Sequence, residues 1–230
     1  VAVRRPNEAI FVKPYGVVGQ VEPVLCNIRD DASVAAALLS ADAVVNCVGI
    51  LAPDGKNTFA SVQAEGAERI ARATADAGIR SLVQISAIGA DANSDSAYSR
   101  TKAAGEAAVQ KHVPSAHILR PSIVFGPEDQ FFNRFASMTR MSPVLPVVGA
   151  DTKFQPVYVD DVAKAALACQ TGAAPPGVYQ QGGPDISTFR ELMRQMLTET
   201  RRQRGVLNIP FWAATVMGFG SEITNTLSLG

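Results

Sequence analysis

Tyr98 and Lys102 stand four residues apart in Tyr98-Ser99-Arg100-Thr101-Lys102. On a helix that spacing puts both side chains on one face. An ammonium beside a phenol stabilises the phenolate and lowers the phenol's pKa. Such a pair can exchange a proton with a carbonyl or alcohol while the lysine holds a ribose. Ser86 lies 12 residues before Tyr98, at the end of an apolar run, and offers a hydroxyl. A serine in that place serves equally as a cap or turn residue. Arg4 and Arg5 follow the short apolar run Val1–Val3. At a strand end, guanidinium groups accept a phosphate, whereas an acidic residue would favour an unmodified ribose; no Asp or Glu occupies residues 1–6.

The elements that must position these groups are legible as alternating patterns. Apolar runs at Val1–Val3, Val21–Ile28, Ala43–Val48, Ser81–Ile85 and His117–Pro121 read as strands. Helical stretches are predicted at 31–39 with Asp31 as N-cap, at Thr58–Ala77 stopped by Gly78, and at Ser96–His112. Continuous apolar strands alternating with helices indicate a doubly wound parallel α/β sheet. Beyond Pro121 the pattern loosens, with helices predicted at 161–171 and 188–200. The expected organisation is a doubly wound α/β domain over 1–125 and a smaller C-terminal lobe over 126–230.

Composition narrows the function classes. Lys plus Arg and Asp plus Glu are 21 each among 230 residues, so no net basic field points to nucleic acid. Cys26, Cys47 and Cys169 are odd in number and far apart, and with two histidines they form no metal spacing or disulfide framework. That usage fits a reducing compartment. No apolar run reaches the roughly 18 residues needed to span a bilayer. The mean hydropathy of +0.10 is slightly high for a soluble domain and is consistent with burial against a partner.

The serine, the tyrosine–lysine pair and their strand–helix setting resemble the short-chain dehydrogenase/reductase superfamily. The resemblance covers about residues 1–183 and implies a Rossmann-like fold. It implies that Ser86, Tyr98 and Lys102 face a nicotinamide, whether active or vestigial. It places Cys47, Val48 and Gly49 along the cofactor and Asn27 and Ile28 beside the adenine, with asparagine where the family often has aspartate. Pro121 and Ile123 are further implied contacts. With Arg4 and Arg5 at the second strand, the implied cofactor is NADPH. The family's first strand and glycine-rich loop are expected upstream of Val1.

Two longer runs resemble one atypical branch of this superfamily. They are Leu119–Ala136, containing Arg120-Pro121-Ser122-Ile123-Val124-Phe125-Gly126-Pro127, and Gln155-Pro156-Val157-Tyr158-Val159-Asp160-Asp161-Val162. That branch contains the accessory subunit of respiratory complex I, which holds NADPH and is mainly structural. The resemblance implies other subunits of complex I as partners. It implies a peripheral location, on the cytoplasmic face of a bacterial inner membrane or the matrix face of the mitochondrial one. Arg190, Arg194, Arg201, Arg202 and Arg204 precede the apolar run 209–220. Segment 205–220 is thus a candidate for contact with lipid head groups or a partner subunit. Two other readings stay open: a free NADP-dependent oxidoreductase or epimerase, and a binding module that senses the NADP/NADPH ratio.

Overall fold

The computed structural model describes residues 1–210. The chain begins with β1 (Ala2–Val3), a 3-10 segment at Pro6–Tyr15, β2 (Val24–Leu25) and α1 (Asp31–Ala37). There follow β3 (Ala43–Asn46), a π-helical turn at Ala60–Ala64, α2 (Glu65–Asp76), β4 (Ser81–Ile85), α3 (Ala97–His112) and β5 (His117–Pro121). The remainder is β6 (Val124–Phe125), α4 (Phe132–Met141), β7 (Val144–Val148), β8 (Lys153–Phe154), β9 (Val157–Tyr158) and α5 (Val159–Gln170). It closes with β10 (Gly177–Gln181), β11 (Ser187–Thr188), α6 (Phe189–Glu199) and β12 (Gly205–Ile209).

The first unit comprises residues 1–121 and 162–181. Its main sheet is four parallel strands in the order β10-β5-β4-β3. Leu82 and Val83 are both fully buried because each faces a covered side of the sheet. On one side Val44 and Leu82 pack with Ala67 and Ala71 of α2 and Val109 of α3. On the other, Val83 and Leu119 pack with Cys169, Ala165 and Ala166 of α5. This is the Rossmann-like arrangement that the alternation predicts. The parallel pair β1-β2 forms a separate two-stranded sheet. A cavity of about 900 Å³ is walled by residues of both β1 and β3.

Domain limits differ from the sequence-based expectation. The first unit ends at Pro121, not at residue 125, and residues 162–181 return to it because β10 pairs in register with β5 (Tyr179 opposite Leu119). The second unit comprises residues 122–161 and the chain from Gly182 on. Its core joins Leu145 and Val147 of β7 to Leu192, Met193 and Met196 of α6. Phe131, Phe135, Phe154 and Phe189 meet there edge-on.

Helix ends follow local chemistry. Asp30, one residue before the expected Asp31, caps α1 by accepting from Ser33 N at 2.6 Å. After α2, Gly78 takes φ +71°, Gly78 N donates to Ala75 O and Ile79 N donates to Thr74 O, a Schellman stop. Of segment 205–220, residues 205–209 form β12, a strand paired with β7. The apolar run from Phe211 to Gly220, with Trp212, lies outside the described residues. Arg202 donates to Ala136 O and to Thr139 Oγ1 (2.7 Å), and Arg204 donates to Thr139 O (3.1 Å). These two arginines thus satisfy carbonyls near the C-terminus of α4. Arg190 approaches Asp151 at 3.6 Å.

Two contacts fix α3. Gly105 rides against the π-helical turn so closely that a Cβ there would lie 2.3 Å from Gln63 O. Glu106, only 5% exposed, accepts from Ser86 Oγ at the end of β4 and from Arg120 on β5, through Nε (2.9 Å) and Nη2 (2.5 Å). Gly105→Ala should destabilise the fold by about 1–3 kcal/mol, because overpacking outweighs the gain in helix propensity of about 1 kcal/mol. An unchanged denaturation midpoint would refute the close approach. Glu106→Ala should cost about 3–5 kcal/mol by leaving the Arg120 charge without its partner. Glu106→Gln should cost less, since its carbonyl still accepts. Urea denaturation of the three proteins checks this order.

Candidate functional site

Helix α3 carries Tyr98, Lys102 and Glu106 at successive spacings of four residues, on one face. Ser96 caps its start by accepting from Ser99 N at 3.5 Å. Lys102 is 7% exposed. Its ammonium donates to Ile85 O at 3.4 Å and lies 5.9 Å from the centre of the Tyr98 ring. A Cβ on Gly49 would sit 3.4 Å from the same nitrogen, so the loop after β3 passes directly over it. An ammonium has three donors. With one long hydrogen bond among the described residues, this one has donors left for a ligand.

The loop is held from two sides. Asn46, 3% exposed, donates to Gln84 Oε1 at 2.8 Å and accepts from Val48 N at 3.0 Å. Gln63, in the π-helical turn, donates to Ile50 O at 2.7 Å and accepts from Thr101 Oγ1 at 2.9 Å. Residues 47–49 are therefore fixed between β3 and α3. Burial holds the Lys102 pKa below its usual value, opposed by the nearby Glu106 carboxylate and the Cys47 thiol. Burial also pushes the Tyr98 phenol above its usual value. The expected lowering of the phenol is thus not found: removal from water outweighs the ammonium over its ring. Phe59 packs edge-on to that ring at 5.9 Å, and the Tyr98 hydroxyl has no hydrogen-bond partner among the described residues.

The expected site residues fall into three groups. Tyr98, Lys102 and Gly49 meet, and Cys47, Val48 and Gly49 line the 900 Å³ cavity. That volume is in the range of small-molecule sites. Arg4 lines it too, and it also lines a second cavity with Asn27. Others are diverted. The Ser86 hydroxyl is committed to Glu106, so the geometry gives it a bracing role and not one facing substrate. Arg5 lines the larger cavity as well and makes an exposed pair with Glu8 at 3.0 Å. Ile28 lines it too, largely buried, with its side chain against Gly66. Pro121 closes β5 in the first unit, whereas Ile123 belongs to the second. Asn46, Gln63, Glu106 and Arg120 escaped the sequence reading. Glu106 had a signal, since it repeats the four-residue spacing that singles out Lys102; Gln63 had none.

A protein named NADH dehydrogenase [ubiquinone] 1 alpha subcomplex subunit 9, mitochondrial, from Arabidopsis thaliana is 35% identical over 210 residues, 90% of this chain and 52% of the relative. The NADH-ubiquinone oxidoreductase 40 kDa subunit of Neurospora crassa is 30% identical over 201 residues, 86% of this chain and 52% of the relative. The chain thus spans about half the length of the relatives it matches. Among solved structures, a dTDP-4-dehydrorhamnose reductase from Clostridium acetobutylicum superposes with a TM-score of 0.73 at 20% identity, covering 86% of this chain and 79% of that one. That likeness shows the fold. The sequence matches the RmlD substrate binding domain over residues 14–211, most of its length, and the chain belongs to that family within the short-chain dehydrogenase/reductase superfamily.

Proposed function

We propose that this chain holds a nicotinamide dinucleotide, NADPH, without turning it over, as an accessory subunit of a respiratory NADH:ubiquinone oxidoreductase. The observation that carries the reading is the Lys102 ammonium, buried beside Tyr98 and Gly49 with donors to spare. Burying an under-satisfied cation is unfavourable in the ligand-free protein, and ribose hydroxyls of a bound dinucleotide would supply the missing acceptors. When bound, such a cofactor supplies a hydride. The residues around it are poorly set to use one: burial raises the Tyr98 phenol and so weakens it as a proton donor, and the Ser86 hydroxyl donates to Glu106. A ligand that binds only the folded state stabilises it by about 2.7 kcal/mol at a hundredfold excess over its dissociation constant, so retention serves the fold without chemistry.

Likeness to subunits named for complex I supports the assembly part of this reading. A peripheral seat on the matrix or cytoplasmic face of the inner membrane belongs to the same proposal. Among the described residues, no helix is long and apolar enough to cross a membrane. One observation favours a second reading, a free NADPH-dependent reductase: Tyr98 and Lys102 keep the side chains that proton transfer requires.

Two substitutions in the full-length protein within its complex separate the readings. Tyr98→Phe keeps the ring and removes the proton donor, so assembly and NADH-driven quinone reduction should stay near wild type. Lys102→Met should strip the retained dinucleotide from the purified complex. The ligand-free Lys102→Met protein should nevertheless melt no lower than wild type, and up to about 2 kcal/mol higher, because an apolar side chain replaces a buried charge. Loss of an NADPH-dependent reductase activity in Tyr98→Phe, with assembly intact, selects the second reading.

The pH response has a definite sign. The charged ammonium is the binding form, so retention is full at low pH and falls as pH rises through the Lys102 pKa. That value is depressed, so loss should begin below the ordinary lysine value of 10.5. The stability of the ligand-free fold should move oppositely, rising over the same window as the buried charge is discharged. Dinucleotide retention and melting measured across that pH window check both signs.

A further inference from the structure

We infer that Arg29, acting with Arg4, is the residue that selects a 2′-phosphate on the adenosine ribose; this rests on the dinucleotide reading above. A cavity of about 540 Å³ lies at the carboxyl ends of β1 and β2, lined by Arg4, Asn27, Arg29, Asp30, Ser33 and Asn57. The ligand-bearing edge of a parallel α/β sheet is the carboxyl edge. Lys102 sits at the carboxyl ends of β3 and β4, against Ile85 O and Gly49. An extended dinucleotide that gives its nicotinamide ribose to Lys102 therefore brings its adenosine ribose towards the ends of β1 and β2.

The distribution of ion pairs decides which cations are available. Arg5, the expected partner of the phosphate, is engaged by Glu8. Arg69 and Arg72 both engage Asp31, Arg72 at 2.9 Å, and Arg69 also donates to Ile28 O. The guanidinium groups of Arg4 and Arg29 have no hydrogen-bond or ion-pair partner among the described residues, and both line this cavity. The acidic group on its wall, Asp30, has Oδ1 accepting from Ser33 N at 2.6 Å. Arg29 is partly buried, and its backbone is fixed by donation from Arg29 N to Asn27 Oδ1 at 3.1 Å. Asn27 N in turn donates to Ser33 Oγ at 2.9 Å. The side-chain amide groups of Asn27 and Asn57 have no acceptor among the described residues and add neutral donors to the wall. Two uncommitted planar cations and two amides suit a dianionic phosphate monoester, which accepts several charge-assisted hydrogen bonds at once.

The test uses adenosine 2′,5′-bisphosphate and adenosine 5′-diphosphate as probes, titrated calorimetrically into the full-length protein. Wild type should bind the 2′-phosphorylated probe more tightly. Arg29→Ala should reduce that ratio by about 10-fold or more, and Arg4→Ala comparably, as for loss of a charge-assisted phosphate contact. Arg5→Ala should change it by less than about 2-fold, since Arg5 does not line this cavity. Arg29→Lys, which keeps the charge but not the fork, should recover part of the loss. A preference that survives Arg29→Ala and vanishes in Arg5→Ala overturns the assignment while leaving the NADPH reading intact. Equal affinity of wild type for both probes overturns that reading, and this inference with it.

Discussion

The position of helix α3 depends on one buried carboxylate. Glu106 is removed from water between β4 and β5, where an unpaired charge would be strongly unfavourable, and it is tolerated because Arg120 and Ser86 satisfy it. The fork from Arg120 fixes the rotation of α3 about its axis, and the close approach at Gly105 fixes its distance from the π-helical turn. With both set, Lys102 one turn before Glu106 must enter the space beneath Gly49, with the Tyr98 ring one turn earlier beside its ammonium.

The same geometry places function and stability in opposition. Lys102 is buried far enough that its charged form is disfavoured, yet under the proposed function it is the charged form that holds the ligand. Glu106 moderates that conflict by raising the lysine's pKa, so the carboxylate that braces the helix also tunes the ammonium. The same carboxylate also takes the hydrogen bond of the Ser86 hydroxyl. The polar clamps at Asn46 and Gln63 hold the loop after β3 in place above the ammonium.

In the second unit, polar groups are likewise consumed in holding the fold. Asp129 Oδ1 accepts from Phe131 N and Phe132 N at the start of α4, while Arg202 and Arg204 satisfy carbonyls near its end. Both ends of one short helix are thus closed by side chains. The aromatic rings between it and α6 then pack with their edges against faces, which adds specificity beyond the area they bury. An arginine-rich segment read as a surface for anions is, for these two residues, part of the internal framework.

Alternation of continuous apolar strands with helices was enough to establish a parallel α/β sheet, because burial on both faces favours consecutive apolar residues such as Leu82-Val83. The Tyr98–Lys102 spacing and the Gly78 stop were equally legible, since each is a local consequence of helix geometry. What only the tertiary structure decided is which polar groups are free. Ser86 meets Glu106 20 residues on, Arg202 meets Ala136 66 residues back, and β10 returns to β5 across an excursion through another unit. Arg5 and Arg29 look alike in the sequence, yet one faces Glu8 and the other has no described partner. Hydrogen bonds and ion pairs between distant residues leave no periodic trace, because they depend on where the chain returns and not on the spacing along it.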